Sequence, residues 1–366
     1  MAILRLSNLQ KIYNNCIVAL NDINLEVYPN DFFVLVGPSG CGKSTMLLLI
    51  AGLEDITSGD VFIDDVCVND VDSKDRGIAM VFQDYTLYPH LTVRDNLAFP
   101  LKMKHTPVSK IAEKIQKISD LLMFDDLLNR KPHHLSGGQK QRVAFGKALI
   151  QNPRIFLMDE PFANLDTAMR NQMCLELSLL HKRIEAAIVY VTHDQEEALA
   201  LGTRICVINH GNIQQIGTPE TVYQHPKNTF VASFIGRPAM NLLEQTELLL
   251  DDGEYYIVID EYTIKIGETL QKKLHQAGIE PKPVITGIRP EDIYISEKCM
   301  FPAIIQFIEY VGSSQRIHVK TGERTLILSE QTKAKRQAGE KVSLCFKHEN
   351  LYVFDKVTHM NLDYIE

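Results

Sequence analysis

Phe32-Phe33-Val34-Leu35-Val36-Gly37-Pro38-Ser39-Gly40-Cys41-Gly42-Lys43-Ser44-Thr45 decides how the chain is read. Its first five residues form a continuous apolar run, the mark of a strand buried on both faces. The next stretch fits G-x-x-x-x-G-K-[ST], and a helical apolar run to Ala51 follows. Glycines there let the backbone wrap closely enough for several N–H groups to face one phosphate chain. A helix opening near Lys43 adds the positive end of its dipole. Lys43 is the expected contact of the β- and γ-phosphates, and the Ser44 hydroxyl the expected ligand of Mg²⁺. Gly37, Ser39, Gly40, Cys41, Gly42 and Thr45 complete the expected cradle. The alternative is a glycine-rich turn without a ligand, and the complete motif between strand and helix weighs against it.

Outward from this stretch, alternation at Ile3 to Asn8 and at Ile23, Leu25 and Val27 predicts antiparallel strands near the N-terminus. Residues 88–150 read mostly as helix, with breaks at Pro107, Pro132 and Ser136. Ile155 to Met158 and Ala187 to Thr192 read as buried strands. The helix between them carries Met169, Met173, Leu177, Leu180 and Ile184 on one stripe. Strand, helix and strand in that order predict a parallel βαβ unit, hence an α/β domain. After about Ile235 short alternating segments separated by turns predict a small all-β barrel. The boundary is expected near 236, giving domains 1–236 and 237–366.

The acids Asp159-Glu160 end one buried strand and so belong at the carboxyl edge of the sheet, beside the phosphate loop. Adjacent carboxylates repel unless a cation or proton compensates. The expectation is that Asp159 helps hold Mg²⁺ while Glu160 polarises the attacking water; the alternative is a solvated acidic turn. His193 ends the next strand and is expected in the same crevice, within reach of a γ-phosphate oxygen, unless it merely caps the helix of Gln195 to Leu201. Gln83 ends the strand Ile78 to Phe82, where a neutral amide can reach Mg²⁺ or water.

Leu135-Ser136-Gly137-Gly138-Gln139 opens a helical run and presents a second anion-binding helix start. One nucleotide does not need two cradles in one chain. The simplest account is a head-to-tail dimer in which this end closes over the nucleotide of the partner. A capped helix start fits the local chemistry equally well, and the residues alone do not decide.

Composition narrows the class. A length of 366 residues suits two cores. The formal net charge of −8 carries no global basic footprint for nucleic acid. Seven cysteines, odd in number and without C-x-x-C pairs, argue against a disulfide framework and for a reducing compartment. The longest apolar stretch, Met46 to Leu53, is far short of the roughly 20 residues of a membrane-spanning helix. A soluble chain is expected, with any membrane work left to a partner.

The set resembles the nucleotide-binding subunits of ABC transporters. Leu135 to Gln139 are similar to that family's LSGGQ signature and Gln83 to its Q-loop glutamine. Ala163-Asn164-Leu165-Asp166 resemble its D-loop and His193 its switch histidine, and Tyr13 stands where the family stacks an aromatic ring on adenine. The segment Phe82 to Val93 is similar to the Q-loop region of maltose-type sugar importers, and Gly287-Ile288-Arg289-Pro290-Glu291-Asp292 resembles the entry to their C-terminal TOBE barrel. Arg237, Phe162-Ala163 and Thr167-Ala168-Met169-Arg170 depart from the usual pattern without removing a catalytic group. The resemblance implies an ATPase working with Mg²⁺ as a homodimer, or with a paralogous ATPase. It would sit on the cytoplasmic face of a bacterial membrane under permease subunits, served indirectly by a solute-binding protein. The barrel would take a regulatory protein and no nucleic acid. Sugar is the implied cargo, with polyamine, sulfate or metal ion as the alternative. A non-transport ABC ATPase is disfavoured by the single cassette and the missing coiled-coil heptads.

Overall fold

A computed structural model describes residues 1–14, 16–82, 87–299, 301–332 and 335–364. By internal contacts the chain divides into two units, Met1–Pro219 and Glu220–Glu366.

In the first unit β1 (Leu4–Tyr13) and β2 (Ile17–Val27) pair antiparallel, as their alternation predicts. β3 (Phe32–Val36) is buried at every position and feeds α1 (Lys43–Ala51). β4 (Ser58–Ile63) and β5 (Val66–Cys67) extend the first sheet in the order β2-β1-β4-β5. Then come β6 (Ile78–Val81), α2 (Val93–Met103), α3 (Val108–Leu122), α4 (Gly137–Leu149), β7 (Ile155–Asp159) and α5 (Thr167–His181). β8 (Ala187–Thr192), α6 (Gln195–Leu201), β9 (Arg204–Asn209) and β10 (Asn212–Gly217) complete the unit. Among the described residues the second sheet runs β10-β9-β3-β8-β7-β6, parallel except for β10. Parallel neighbours align the carboxyl ends of β3, β7 and β8 along one edge, and that edge positions the site.

The helical stretch has a core of its own, with Val93, Leu97, Leu101, Ile111, Ile115, Phe124 and Val143 buried together. Each such side chain contributes about 1.5–3 kcal/mol on leaving water. Thr92 caps α2 by accepting from the Asp95 N–H at 3.1 Å. Of the stripe expected on α5, Met173, Leu177 and Leu180 are buried, while Ile184 lies past its end.

The second unit holds α7 (Pro219–Gln224, its first residue at the division) and α8 (Thr229–Phe234). There follow β11 (Asn241–Asp251), β12 (Glu254–Ile259), β13 (Tyr262–Lys265), α9 (Glu268–Gln276), β14 (Lys282–Ile288) and β15 (Ile293–Ile295). β16 (Phe301–Val311), β17 (Ser314–Thr321), β18 (Arg324–Gln331), β19 (Lys341–Phe346) and β20 (Tyr352–Asp355) follow in turn. Among the described residues two antiparallel sheets form, ordered β13-β12-β11-β14-β20 and β15-β19-β16-β17-β18, around one shared core. Contacts divide the chain at 219/220, upstream of the expected 236. The reason is that the buried Arg289 guanidinium donates to the Tyr223 and Ile235 carbonyls, each at 2.6 Å. The Asn361 N–H reaches Lys227 O at 2.9 Å and the Thr229 N–H reaches His359 O at 3.0 Å, which ties the same helical stretch to the end of the sheet.

One expectation is corrected: Cys299 and Cys345 form a disulfide, with Cα atoms 5.5 Å apart. The pairing arises because β15 lies beside β19 and the connection leaving β15 passes that strand. Among the described residues no helix is long and apolar enough to cross a membrane.

Candidate nucleotide-binding site

The loop after β3 is shaped by close approaches. A Cβ at Gly42, whose φ is +105°, would lie 2.5 Å from the Ala19 carbonyl oxygen, and one at Gly37 would lie 2.2 Å from Ile208 O. Only glycine fits either place. The Gly211 N–H donates to Cys41 O at 3.1 Å and fixes the loop from the β9–β10 turn. Lys43 is 5% exposed, and its ammonium donates to Gly37 O and Pro38 O, each at 2.9 Å. Ser39, Gly40 and Ser44 are exposed along the loop, and Thr45 is half-buried. Loop carbonyls thus hold the ammonium in place.

The Ser44 hydroxyl donates to Asp159 Oδ1 at 2.9 Å, joining the start of α1 to the end of β7. Burial raises the Asp159 carboxyl above its ordinary value and the Glu160 charge adds to this, while the Ser44 hydrogen bond and Lys43 oppose it. Mg²⁺ is usually held by one or two carboxylates together with waters and phosphates. The Ser44 and Asp159 oxygens fit that pattern. Glu160 stands at φ +42°, unusual for a side chain with a Cβ, and its N–H is tied to Val191 O at 3.0 Å. Such a conformation costs of order 1–3 kcal/mol and is typical of functional positions. Glu160 Oε2 lies 2.9 Å from His193 Nδ1, so the acid and the imidazole meet, as their strand ends predict. The arrangement can receive phosphate on amides and ammonium, place a divalent cation at Ser44 and Asp159, and present a base with a histidine beside it.

Ser136 begins α4 with a full capping box: its hydroxyl accepts from the Gln139 N–H at 3.4 Å, and Gln139 Oε1 accepts from the Ser136 N–H at 3.0 Å. Gly138 of α4 is buried against α5, where Met169 Sδ would lie 3.4 Å from a Cβ added there, and Gly137 packs beside Leu165. The structure thus shows the capped helix start expected of this segment. Asp166 caps α5 by accepting from the Met169 N–H at 2.9 Å. Tyr13 ends β1 opposite Ile17, half-buried under the Lys11 ammonium. Gln83 lies outside the described residues. Sequence reasoning missed Arg170, whose side chain reaches Asp194 Oδ2 at 3.1 Å and Leu165 O at 3.2 Å. A lone arginine on a helix gave no signal of that.

Cys41 is buried within the loop, and burial raises its thiol above the ordinary value despite nearby Lys43. The thiolate is the reactive form. Alkylation by N-ethylmaleimide is therefore expected to be slow at neutral pH, to quicken as pH rises, to be blocked by prior Mg-ATP and to abolish nucleotide binding once complete. Mass spectrometry paired with a fluorescent-nucleotide titration checks this, and full binding by the alkylated chain would remove Cys41 from the cradle.

A phosphate loop, an acid pair and a histidine along one edge of a parallel sheet define a P-loop nucleotide-binding protein. The ABC transporter family pattern matches residues 20–163 and the TOBE domain pattern residues 286–354. The chain is 41% identical to the trehalose/maltose import ATP-binding protein MalK of Thermococcus litoralis, over 98% of this chain and 99% of that one. It is 42% identical to the oligosaccharides import ATP-binding protein MsmX of Bacillus subtilis, over 99% and 100% respectively. It is also 42% identical to the sn-glycerol-3-phosphate import ATP-binding protein UgpC of Bartonella quintana, over 98% of each. Among solved structures, the dimeric ATP-binding cassette MJ0796 bound to ADP and Pi is 34% identical, with a TM-score of 0.52, covering 59% of this chain and 98% of that one. This chain belongs to the ATP-hydrolysing subunits of ABC transporters, and it carries a C-terminal TOBE domain.

Proposed function

We propose that the chain powers a carbohydrate importer, as a homodimer on the cytoplasmic face of a bacterial membrane beneath permease subunits. The observation that carries this reading is likeness over essentially the whole chain, second unit included, to proteins named for trehalose/maltose and oligosaccharide import.

In this mechanism the Lys43 loop binds the phosphates of ATP and Tyr13 supports the adenine. Ser44, Asp159 and Gln83 would hold Mg²⁺, which would supply positive charge against the phosphates. Glu160 takes a proton from water, and His193 orients that acid and senses the terminal phosphate. The Ser136–Gln139 end and Asp166 of one chain complete the site of the other. ATP bridges the two chains and ADP cannot, so hydrolysis reopens the dimer. Residues 88–150 pass the movement to the permease, and residues 237–366 serve dimerisation and regulation.

Glycerol phosphate is the competing cargo, supported by likeness to UgpC. The chain can be affinity-purified with its membrane partners and reconstituted in vesicles with their solute-binding protein. Labelled maltose, trehalose or maltotriose should accumulate only with Mg-ATP. Uptake of sn-glycerol-3-phosphate with none of these sugars would replace the carbohydrate reading.

A further inference from the structure

Arg170 lies in the first turn of α5 and its guanidinium points three ways. Nη2 donates to Leu165 O at 3.2 Å, in the loop that carries Asp166. Nη1 donates to Asp194 Oδ2 at 3.1 Å, directly after His193. Nε lies 3.6 Å from Glu197 Oε1. The other Glu197 oxygen accepts from the Tyr190 hydroxyl at 2.8 Å and the Thr192 hydroxyl at 2.7 Å, both on the strand that delivers His193. Asp194 Oδ1 meanwhile caps α6 through the Glu196 N–H at 2.9 Å. The side chains of Arg170, Asp194 and Glu197 are 26%, 13% and 7% exposed, so the network is partly shielded from solvent.

Stability alone is a poor account of this arrangement, because partly exposed ion pairs contribute little and buried ones roughly break even against apolar packing. Its placement is more informative. Residue 169 supports Gly138 of the helix start that completes the partner's site, while residue 170 grips the loop that carries His193 of the chain's own site. The two sites of a dimer therefore meet in consecutive residues of one helical turn.

We propose that Arg170 is a positioning residue that locks the Asp166 loop and the His193 loop of each chain together, so that the two nucleotide sites of the dimer respond as one. The inference rests on the dimer described under Proposed function. When one site closes, its pull on the first turn of α5 moves the His193 loop of the other.

The test uses the full chain with Arg170→Lys and, separately, Asp194→Asn. Lysine keeps the charge but cannot span three directions with one ammonium. Asparagine caps α6 as well as aspartate does while losing the charge-assisted bond. Phosphate release against ATP concentration should give the unaltered chain a Hill coefficient of about 1.5–2, two sites being the ceiling. Each variant should fall toward 1, with kcat about tenfold lower and KM within about twofold, the pattern of an interaction made mainly in the transition state. ATP-driven dimerisation, read by size-exclusion chromatography in a Glu160→Gln background, should persist in both. Variants that melt at a lower temperature yet keep the Hill coefficient would show a structural tie and overturn the proposal, as would an unaltered chain with a coefficient of 1. Should Arg170→Lys fail to fold, Asp194→Asn decides alone. A chain that never dimerises with ATP sinks the dimer reading itself, whereas dimers with unchanged cooperativity sink only the coupling.

Discussion

Glu160→Gln should lower kcat for ATP hydrolysis a hundredfold to ten-thousandfold, the usual range for a lost general base, while ATP affinity stays within a few-fold. The amide matches the carboxylate in shape and is no worse placed at φ +42°. Its oxygen can still accept from His193 Nδ1, which now lies 2.9 Å from Glu160 Oε2. Folding stability should therefore change by no more than about 0.5 kcal/mol. Only the capacity to take a proton from water disappears. Phosphate release at saturating ATP measures the loss, and size-exclusion chromatography should show the variant held as a dimer by ATP it cannot cleave. Normal turnover would strip Glu160 of the role and require another base.

Lys43→Ala should reduce kcat/KM by a hundredfold to ten-thousandfold, the equivalent of two or so charged hydrogen bonds at about 1.5–3 kcal/mol each. The ammonium donates to Gly37 O and Pro38 O at 2.9 Å. Its removal takes away the cation proposed to meet the phosphates and also orphans two carbonyls inside the loop. Loss of binding should accordingly come with a modest fall in thermal stability. Lys43→Arg should not restore activity, because the 5% exposed site has room for a compact ammonium and not for a planar fork. Isothermal titration with Mg-ATP separates the outcomes, and complete rescue by arginine would mean that charge alone suffices.

Much of the first unit was legible because strands buried on both faces leave uninterrupted apolar runs. β3, β7 and β8 each print one, and the residues proposed for the chemistry follow where each run stops, at Gly37, at Asp159 and Glu160, and at His193. The second unit was legible as sheet for the complementary reason, since half-buried strands alternate. Its helix α9 was not expected, because only Leu270 and Leu274 give it an apolar face. The third inward position is Gln271, whose amide pairs with both backbone groups of Tyr255 at 2.8 and 2.7 Å. The disulfide left no trace either, since 46 residues of separation become adjacency only through the order of the strands. Arg170 was illegible for a related reason: its partners are chosen by the tertiary placement of α5 against α6, and a single cation on a helix reads as solvated.

The stitching of residues 359–361 back onto residues 227–229 bears on how the chain acquires its structure at the ribosome. Domains generally form in order of synthesis. The first unit has every strand of its parallel sheet by Gly217 and can consolidate while translation continues. The stretch from Glu220 onward has no such freedom, because its partners lie downstream, at Arg289 and at residues 359–361. Until they are made, α7 and α8 wait without their anchors. A nascent chain thus passes through a stage in which the catalytic half is finished and the other half is still open.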